Sequence, residues 1–235
     1  MDYNAMPNKE AKKILLLGAS GLTGNFVLQE LLLSSLCKSL ILWGRKAPEA
    51  ISEKILFRNN LDETLSCELT NVDAVICCLG TTIKKAGSKD NFKAIDYDLP
   101  LYFANMAKEN GVPVFCLMSS IGADAQSNNF YLKTKGRLED AIKLLYFNKL
   151  HILQPSLLLG KRKEYRAGER LGQMLAPLFN ALLFGEMQKY KAVQSLDVAK
   201  ALCFSAIFKS CDEQVTTYQY NQISTLAQKW DQAKL

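Results

Sequence analysis

The stretch at residues 12–24, KKILLLGASGLTG, sets a run of apolar residues directly before Gly18, Gly21 and Gly24, three glycines spaced three apart, and a helical pattern follows. Ile14 to Leu17 read as a strand buried on both faces. The turn after it must let a pyrophosphate approach the main chain, and glycine at 18 and 21 leaves no Cβ in the way. A helix beginning near Thr23 would aim its free N–H groups and the positive end of its dipole at the phosphates, while Gly24 lets helix and strand pack closely. The spacing is G-x-x-G-x-x-G rather than G-x-G-x-x-G, so a plain strand-to-helix turn is the competing reading of these residues alone. A P-loop requires G-x-x-x-x-G-K-[ST], and where its second glycine would stand the chain has Thr23, with no lysine behind it; nucleotide triphosphate hydrolysis is disfavoured.

Outward from this turn, apolar runs alternate with helical patterns almost to the end. That rhythm predicts an α/β fold: a doubly wound, mostly parallel Rossmann sheet with helices on both faces and a small C-terminal extension on the substrate side. Strands are expected at 39–43, 54–58, 72–79, 112–118 and 150–153, and helices at 22–35, 99–110 and 130–147, with Asn110-Gly111 as helix-stop chemistry. Beyond Pro155 the rhythm loosens into a basic loop, helices near 168–184 and 196–208, a strand at 215–220 and a last helix. No linker, repeat or low-complexity segment interrupts the chain, so residues 1–235 read as one domain, with 156–235 forming the substrate-side lobe.

Composition agrees with a folded globular protein: 235 residues, 49% hydrophobic and 22% charged, without an apolar stretch long enough to span a membrane. The first residues, MDYNAMPNKEAKK, lack the apolar stretch and cleavage site of a secretory signal, and a cytoplasmic location is expected. Seven cysteines without a CxxC pair, and a lone His151, fit neither a disulfide framework nor a zinc site. Cys77, Cys78 and Cys116 read as reduced, buried small hydrophobes. The net charge of +6 has one local concentration, Lys161, Arg162, Lys163, Arg166 and Arg170. Nucleic-acid binding is disfavoured because no stacking-aromatic module accompanies that charge.

In a doubly wound sheet ligands lie beyond the carboxyl ends of the strands. The second strand ends in Trp43-Gly44-Arg45-Lys46, with no acidic residue to bind ribose hydroxyls. Arg45 and Lys46 instead suit the 2′-phosphate of NADP, a solvated basic turn being the plain alternative. The fourth strand ends in the small, hydroxyl-rich CCLGTT, 77–82. The fifth runs into Ser119-Ser120, and Tyr131 and Lys135 follow, four apart on one helical face. A phenol titrates too high for proton transfer at neutral pH, but an adjacent ammonium stabilises its phenolate. The lysine would also hold a ribose, and a serine hydroxyl would bond the substrate oxygen whose charge changes as hydride moves. Lys133 points to another face and reads as a solvated charge.

On these residues the chain resembles the short-chain dehydrogenase/reductase superfamily, and within it the atypical branch of small NADP-binding proteins. The resemblance covers nearly the whole chain and rests on GASGLTG at 18–24, WGRK at 43–46, CCLGTT at 77–82, SSIGAD at 119–124, YLKTKG at 131–136 and QPSLLLGKRKEYRAGE at 154–169. It implies Ser119, Tyr131 and Lys135 as the catalytic residues. It implies cofactor contacts from Ser20, Gly21, Leu22, Thr23, Arg45, Lys46, Leu79, Gly80 and Leu158, with Arg166 a further candidate, beside Gly18, Gly24, Tyr131 and Lys135. Two departures stand out. Many relatives carry Arg-Pro where this chain has Gln154-Pro155, and the asparagine of the superfamily's proton relay has no clear counterpart, Asn105 being the residue in the right helix.

The leading expectation is therefore an NADP(H)-dependent oxidoreductase acting on a small carbonyl or alcohol. An NADP-sensing protein that regulates a protein partner without turnover is the alternative. A peripheral membrane contact through 161–170 and the apolar positions after it is a third reading, although a core-facing or dimer-facing helix explains that spacing more simply.

Overall fold

The computed structural model describes residues 10–59, 61, 63–160, 185–208 and 213–234. The chain opens with β1 (Lys12–Leu17), whose last four residues are fully buried, as a strand covered on both faces must be. Helix α1 (Leu22–Leu33) crosses to β2 (Cys37–Trp43), followed by β3 (Ile55–Arg58), α2 (Glu63–Leu69) and β4 (Ala74–Cys77). Two short helices, α3 (Ile83–Ala86) and α4 (Lys89–Lys93), lead through a π-helical turn at Ala94–Asp98 into α5 (Leu99–Glu109). Then come β5 (Val114–Met118), α6 (Phe130–Lys143), β6 (Lys149–Leu153) and the short β7 (Leu158–Leu159). A 3-10 turn at Gly185–Tyr190 precedes β8 (Val193–Gln194), α7 (Ser195–Ile207), β9 (Val215–Tyr218) and α8 (Tyr220–Ala233).

Seven strands form one sheet in the order β3-β2-β1-β4-β5-β6-β9, every neighbouring pair parallel. β7 and β8 pair separately. The main sheet separates two cores, because alternate residues of each strand face opposite sides. Ile14, Leu16, Ala74, Ile76 and Cys116 pack with Val27 and Leu31 of α1, Leu202 of α7 and Trp230 of α8. Leu15, Leu17, Val75, Cys77 and Phe115 pack with Leu65 of α2, Phe103 of α5 and Leu138 of α6. This is the doubly wound Rossmann arrangement expected from the alternating pattern. The chain reverses its direction of growth between β1 and β4, so the carboxyl ends of β1, β2, β4 and β5 surround the switch point.

Differences are local. The helix α2 was not anticipated, and the fourth strand is shorter than 72–79; just ahead of it the Asp73 carboxylate accepts from the Lys13 N–H at 2.9 Å and the Lys12 ammonium at 3.0 Å. The helix expected to run to 147 stops at Lys143, and Tyr146 takes a left-handed φ of 50°. The expected helix at 168–184 lies outside the described residues.

Candidate active site

The turn after β1 is fixed by its glycines for two different reasons. Gly18 has φ +82°, and a Cβ there would stand 2.7 Å from the carbonyl oxygen of Cys78 at the end of β4. The neighbouring strand therefore demands glycine at 18, where the sequence suggested the approach of a ligand. A Cβ on Gly24 would stand 2.1 Å from the carbonyl oxygen of Gly18, so α1 sits directly on the turn, as the spacing implied. Gly21 is the N-cap of α1, with extended backbone and no side-chain cap. The first N–H groups of a helix have no acceptor within it, and here no side chain takes their place at the cap. Ser20 and Gly21 are exposed, while Thr23 is buried with its Oγ1 lacking a hydrogen-bond partner. An uncapped N-terminus beside an orphan hydroxyl fits a phosphate-bearing group.

Register carries further residues to the same edge. Trp43 lies opposite Leu17, so the exposed Arg45 and Lys46 emerge one strand over from the glycine turn. Leu79 and Gly80 follow β4 on the other side, half-buried and exposed respectively. Leu158 is half-buried on β7, and a Cβ on nearby Gly160 would touch the Leu22 methyls at 3.3 Å, so this segment lies over the start of α1. Arg166 and the basic segment around it lie outside the described residues.

The helix α6 begins where Asn129 caps it, its Oδ1 accepting from the N–H groups of Tyr131 at 3.0 Å and Leu132 at 3.2 Å. That cap sets Tyr131 in the first turn, half-buried, its ring 5.7 Å from that of Phe92. One turn on, Lys135 is buried and forms an ion pair with Asp96 Oδ1 at 3.0 Å, while the Thr81 N–H donates to Asp96 Oδ2 at 2.7 Å. Burial alone would push the Lys135 ammonium down, but the charges of Asp96 and then Tyr131 outweigh it and hold the lysine above its usual range. Gly80 completes this corner; a Cβ there would meet Asp96 Oδ1 at 3.3 Å and the lysine nitrogen at 3.6 Å. Lys133 is half-buried on the same helix.

Asp96 did not emerge from the sequence. It lies in the π-helical turn, which widens the helix by one residue and turns this carboxylate inward. Asn105, the residue in the right helix for the superfamily's proton-relay asparagine, is exposed and donates to the Leu101 carbonyl at 3.0 Å, one turn back on its own helix.

Ser119 follows β5, anchored by its N–H to the Leu153 carbonyl at 2.8 Å, and is buried. Its hydroxyl donates to Glu139 Oε1, a residue one turn beyond Lys135 on α6. Gln154 Nε2 donates to both oxygens of Glu139 at 3.0 Å, and Gln219 Nε2 donates to Gln154 Oε1 at 3.3 Å. Burial raises the Glu139 carboxyl above its usual range, against the hydrogen bonds from Ser119 and Gln154. Glu139 too went unread in the sequence, although its spacing from Tyr131 and Lys135 continues the same helical face. Cys77, Cys78 and Cys116 are buried free thiols, all raised by burial, Cys77 to about 11, so they behave as the small hydrophobes expected.

The family model HIM1 matches residues 44–187. Protein HTATIP2 of Rattus norvegicus is 37% identical over 169 residues, which cover 69% of either chain. A protein named "FMP52, mitochondrial" in Meyerozyma guilliermondii is 33% identical over 226 residues, 93% of this chain and 97% of its own. Among solved structures, MoeE5 in complex with UDP-glucose and NAD superposes with a TM-score of 0.65 over 92% of this chain and 81% of its own, at 14% identity, a likeness of fold. The names of the FMP52 relatives overturn the cytoplasmic expectation, since several are called mitochondrial. A secretory leader bears on export alone and does not choose among compartments within the cell. Among the described residues no helix is long and apolar enough to cross a membrane.

Proposed function

Because this chain belongs to the HIM1 family and is a relative of the HTATIP2 and FMP52 proteins, we propose that it is an NADP(H)-dependent oxidoreductase of the atypical short-chain dehydrogenase/reductase type. Its substrate is a small carbonyl compound or the corresponding alcohol. The observation that carries this reading is the buried Lys135, kept as an ammonium by Asp96 and coupled in charge to Tyr131 one turn away.

The uncapped start of α1, with Ser20, Gly21, Leu22 and the orphan Thr23 hydroxyl, would hold the pyrophosphate. Arg45 and Lys46 would take a 2′-phosphate, the guanidinium in bidentate fashion. Leu79, Gly80 and Leu158 would flank the nucleoside on either side of the turn. The nicotinamide, when bound, supplies or accepts hydride. Tyr131 gives its phenol proton to the carbonyl oxygen, and the Lys135 charge stabilises the phenolate left behind. Ser119 orients that oxygen.

A second reading, a dinucleotide-sensing protein without turnover, is favoured by the Ser119 hydroxyl proton being directed at Glu139. Tyr131→Phe separates the two. An oxidoreductase loses about 10²- to 10⁴-fold in the rate of NADPH oxidation by an aldehyde and ketone panel, while NADPH affinity stays within a few-fold. A protein that turns over no member of the panel, or a Tyr131→Phe variant that turns over at the wild-type rate, rules out the mechanism. Specificity is tested separately: Arg45→Ala should weaken NADPH but not NADH binding, by roughly tenfold or more.

A further inference from the structure

The bond between Ser119 and Glu139 has a chemical consequence. A hydroxyl has one proton to give. While Glu139 is ionised, that proton is spent on the carboxylate, and Ser119 has only lone pairs left for anything else it touches. A neutral Glu139 reverses the bond, giving its own proton to Ser119 Oγ and releasing the serine proton for a substrate oxygen.

The surroundings determine how easily that reversal happens. Ser119, Glu139 and Gln154 are 5%, 4% and 8% exposed, so the carboxyl has almost no water to stabilise its charge. The group that cradles both its oxygens is the neutral amide of Gln154, held in orientation by Gln219. β5 presents Ser119 to it and β6 presents Gln154, neither of which ionises in the working range. The charged groups acting on it, among the described residues, are Lys143 and Asp140 of its own helix, of opposite sign. A cation in place of Gln154 would hold Glu139 ionised far more firmly than the amide, whose hydrogen bonds offset burial only in part. Burial accordingly moves its titration upward.

We propose that Glu139 is a positioning residue that sets the direction of the Ser119 hydroxyl: neutral, it frees the serine proton for the substrate oxygen, and ionised, it withdraws it. Burial makes the neutral state accessible, and Gln154, a neutral donor rather than a cation, opposes it only in part. The proposal rests on the oxidoreductase reading for its link to turnover, and on the hydrogen-bond network alone for its link to Ser119.

Two measurements on the full chain test it. Single-turnover NADPH oxidation by the aldehyde and ketone panel is followed against pH, and isotope-edited infrared spectroscopy of labelled glutamate follows the protonated carboxyl band that Glu139→Gln removes. In the wild type, hydride transfer should fall as pH rises through the range in which that band is lost. Glu139→Gln should lose this limb, because its amide donates to Ser119 at every pH while its carbonyl accepts from Gln154. Gln154→Arg should move the band and the limb together to lower pH. A Glu139→Gln variant with the wild-type limb, or a Gln154→Arg variant that moves the band and leaves the limb in place, overturns the proposal.

If the panel yields no turnover with any variant, the oxidoreductase reading falls and the infrared arm decides this one. A protonated Glu139 band that persists above the ordinary carboxylate range and shifts in frequency in Ser119→Ala supports the exchange of donors. A band absent from that range, or indifferent to Ser119→Ala, defeats it.

Discussion

At Asp96 a fully buried carboxylate faces a buried ammonium, and removing either charge strands the other. Truncating one partner of such a pair leaves an uncompensated ion in a medium that solvates it poorly, at a cost of about 3–5 kcal/mol. Asp96→Leu also takes the acceptor from the Thr81 N–H. Urea denaturation should therefore place Asp96→Leu about 3 kcal/mol or more below wild type, and Asp96→Leu with Lys135→Met above either single variant. A double variant whose loss is the sum of the two singles would show that the ions do not compensate each other. Tyr131 and Lys135 were legible because their partnership is local, four positions on one helix. Asp96 was not, since its segment reads as the lead-in to α5 and a single π turn leaves no mark on the hydrophobic pattern. Glu139 and Gln154 were hidden differently: their meeting depends on β6 lying beside β5, which brings 119, 139 and 154 together.

Element by element, the glycine turn separates packing from binding in a way that its spacing could not. Gly24 and Gly21 stand in one motif, but the first would drive a Cβ to 2.1 Å from backbone and the second to 3.3 Å. Backbone atoms cannot give way as a side-chain end can, so Gly24→Ala forces α1 away from β1 and the turn. Expected is a loss of roughly 2–3 kcal/mol in urea denaturation, the upper range of overpacking, for Gly24→Ala. Gly21→Ala, whose extended backbone suits any residue, should lose less than about 1 kcal/mol and instead weaken NADPH binding about tenfold. Equal destabilisation by the two variants would dispose of the distinction. β1 and the buried runs of β2 and β4 were readable because residues covered on both faces of a sheet are apolar, although β4 formed shorter than its apolar run. The end of α6 was not, because its apolar pattern continues through Leu144 and Leu145, where the bonds to the residue four back give way to bonds to the residue three back.

Across the whole molecule, the candidate site occupies the carboxyl ends of the strands, while the lone histidine lies midway along β6, beside a cavity at their amino ends lined by Lys12, Asp73, Lys149 and Ser205. The sequence exposed the polarity of this sheet through its order of strands and helices, and with it the end at which a ligand belongs. It gave no sign that His151 would be 1% exposed, its Nδ1 sharing a hydrogen bond with the Tyr218 hydroxyl at 3.0 Å. Burial, and then the charge of Lys149, lowers the imidazole from 6.5 to about 4. Between those values the unfolded chain binds the proton and the folded chain does not, so stability rises with pH through this window. The contribution is complete above about pH 6.5 and is lost as pH falls toward 4. Glu139, raised in the fold, acts in the opposite sense, favouring the folded state on the acid side of its titration and losing that effect as pH rises. His151 by itself should account for about 2 kcal/mol lost between pH 7 and 5, read as the difference between the wild type and a variant that does not titrate there. Urea midpoints at the two pH values measure it, and His151→Gln, which keeps an amide for Tyr218 and does not titrate, should flatten the slope. If His151→Gln retains the wild-type slope, the acid sensitivity belongs to other groups and His151 is not excluding its proton.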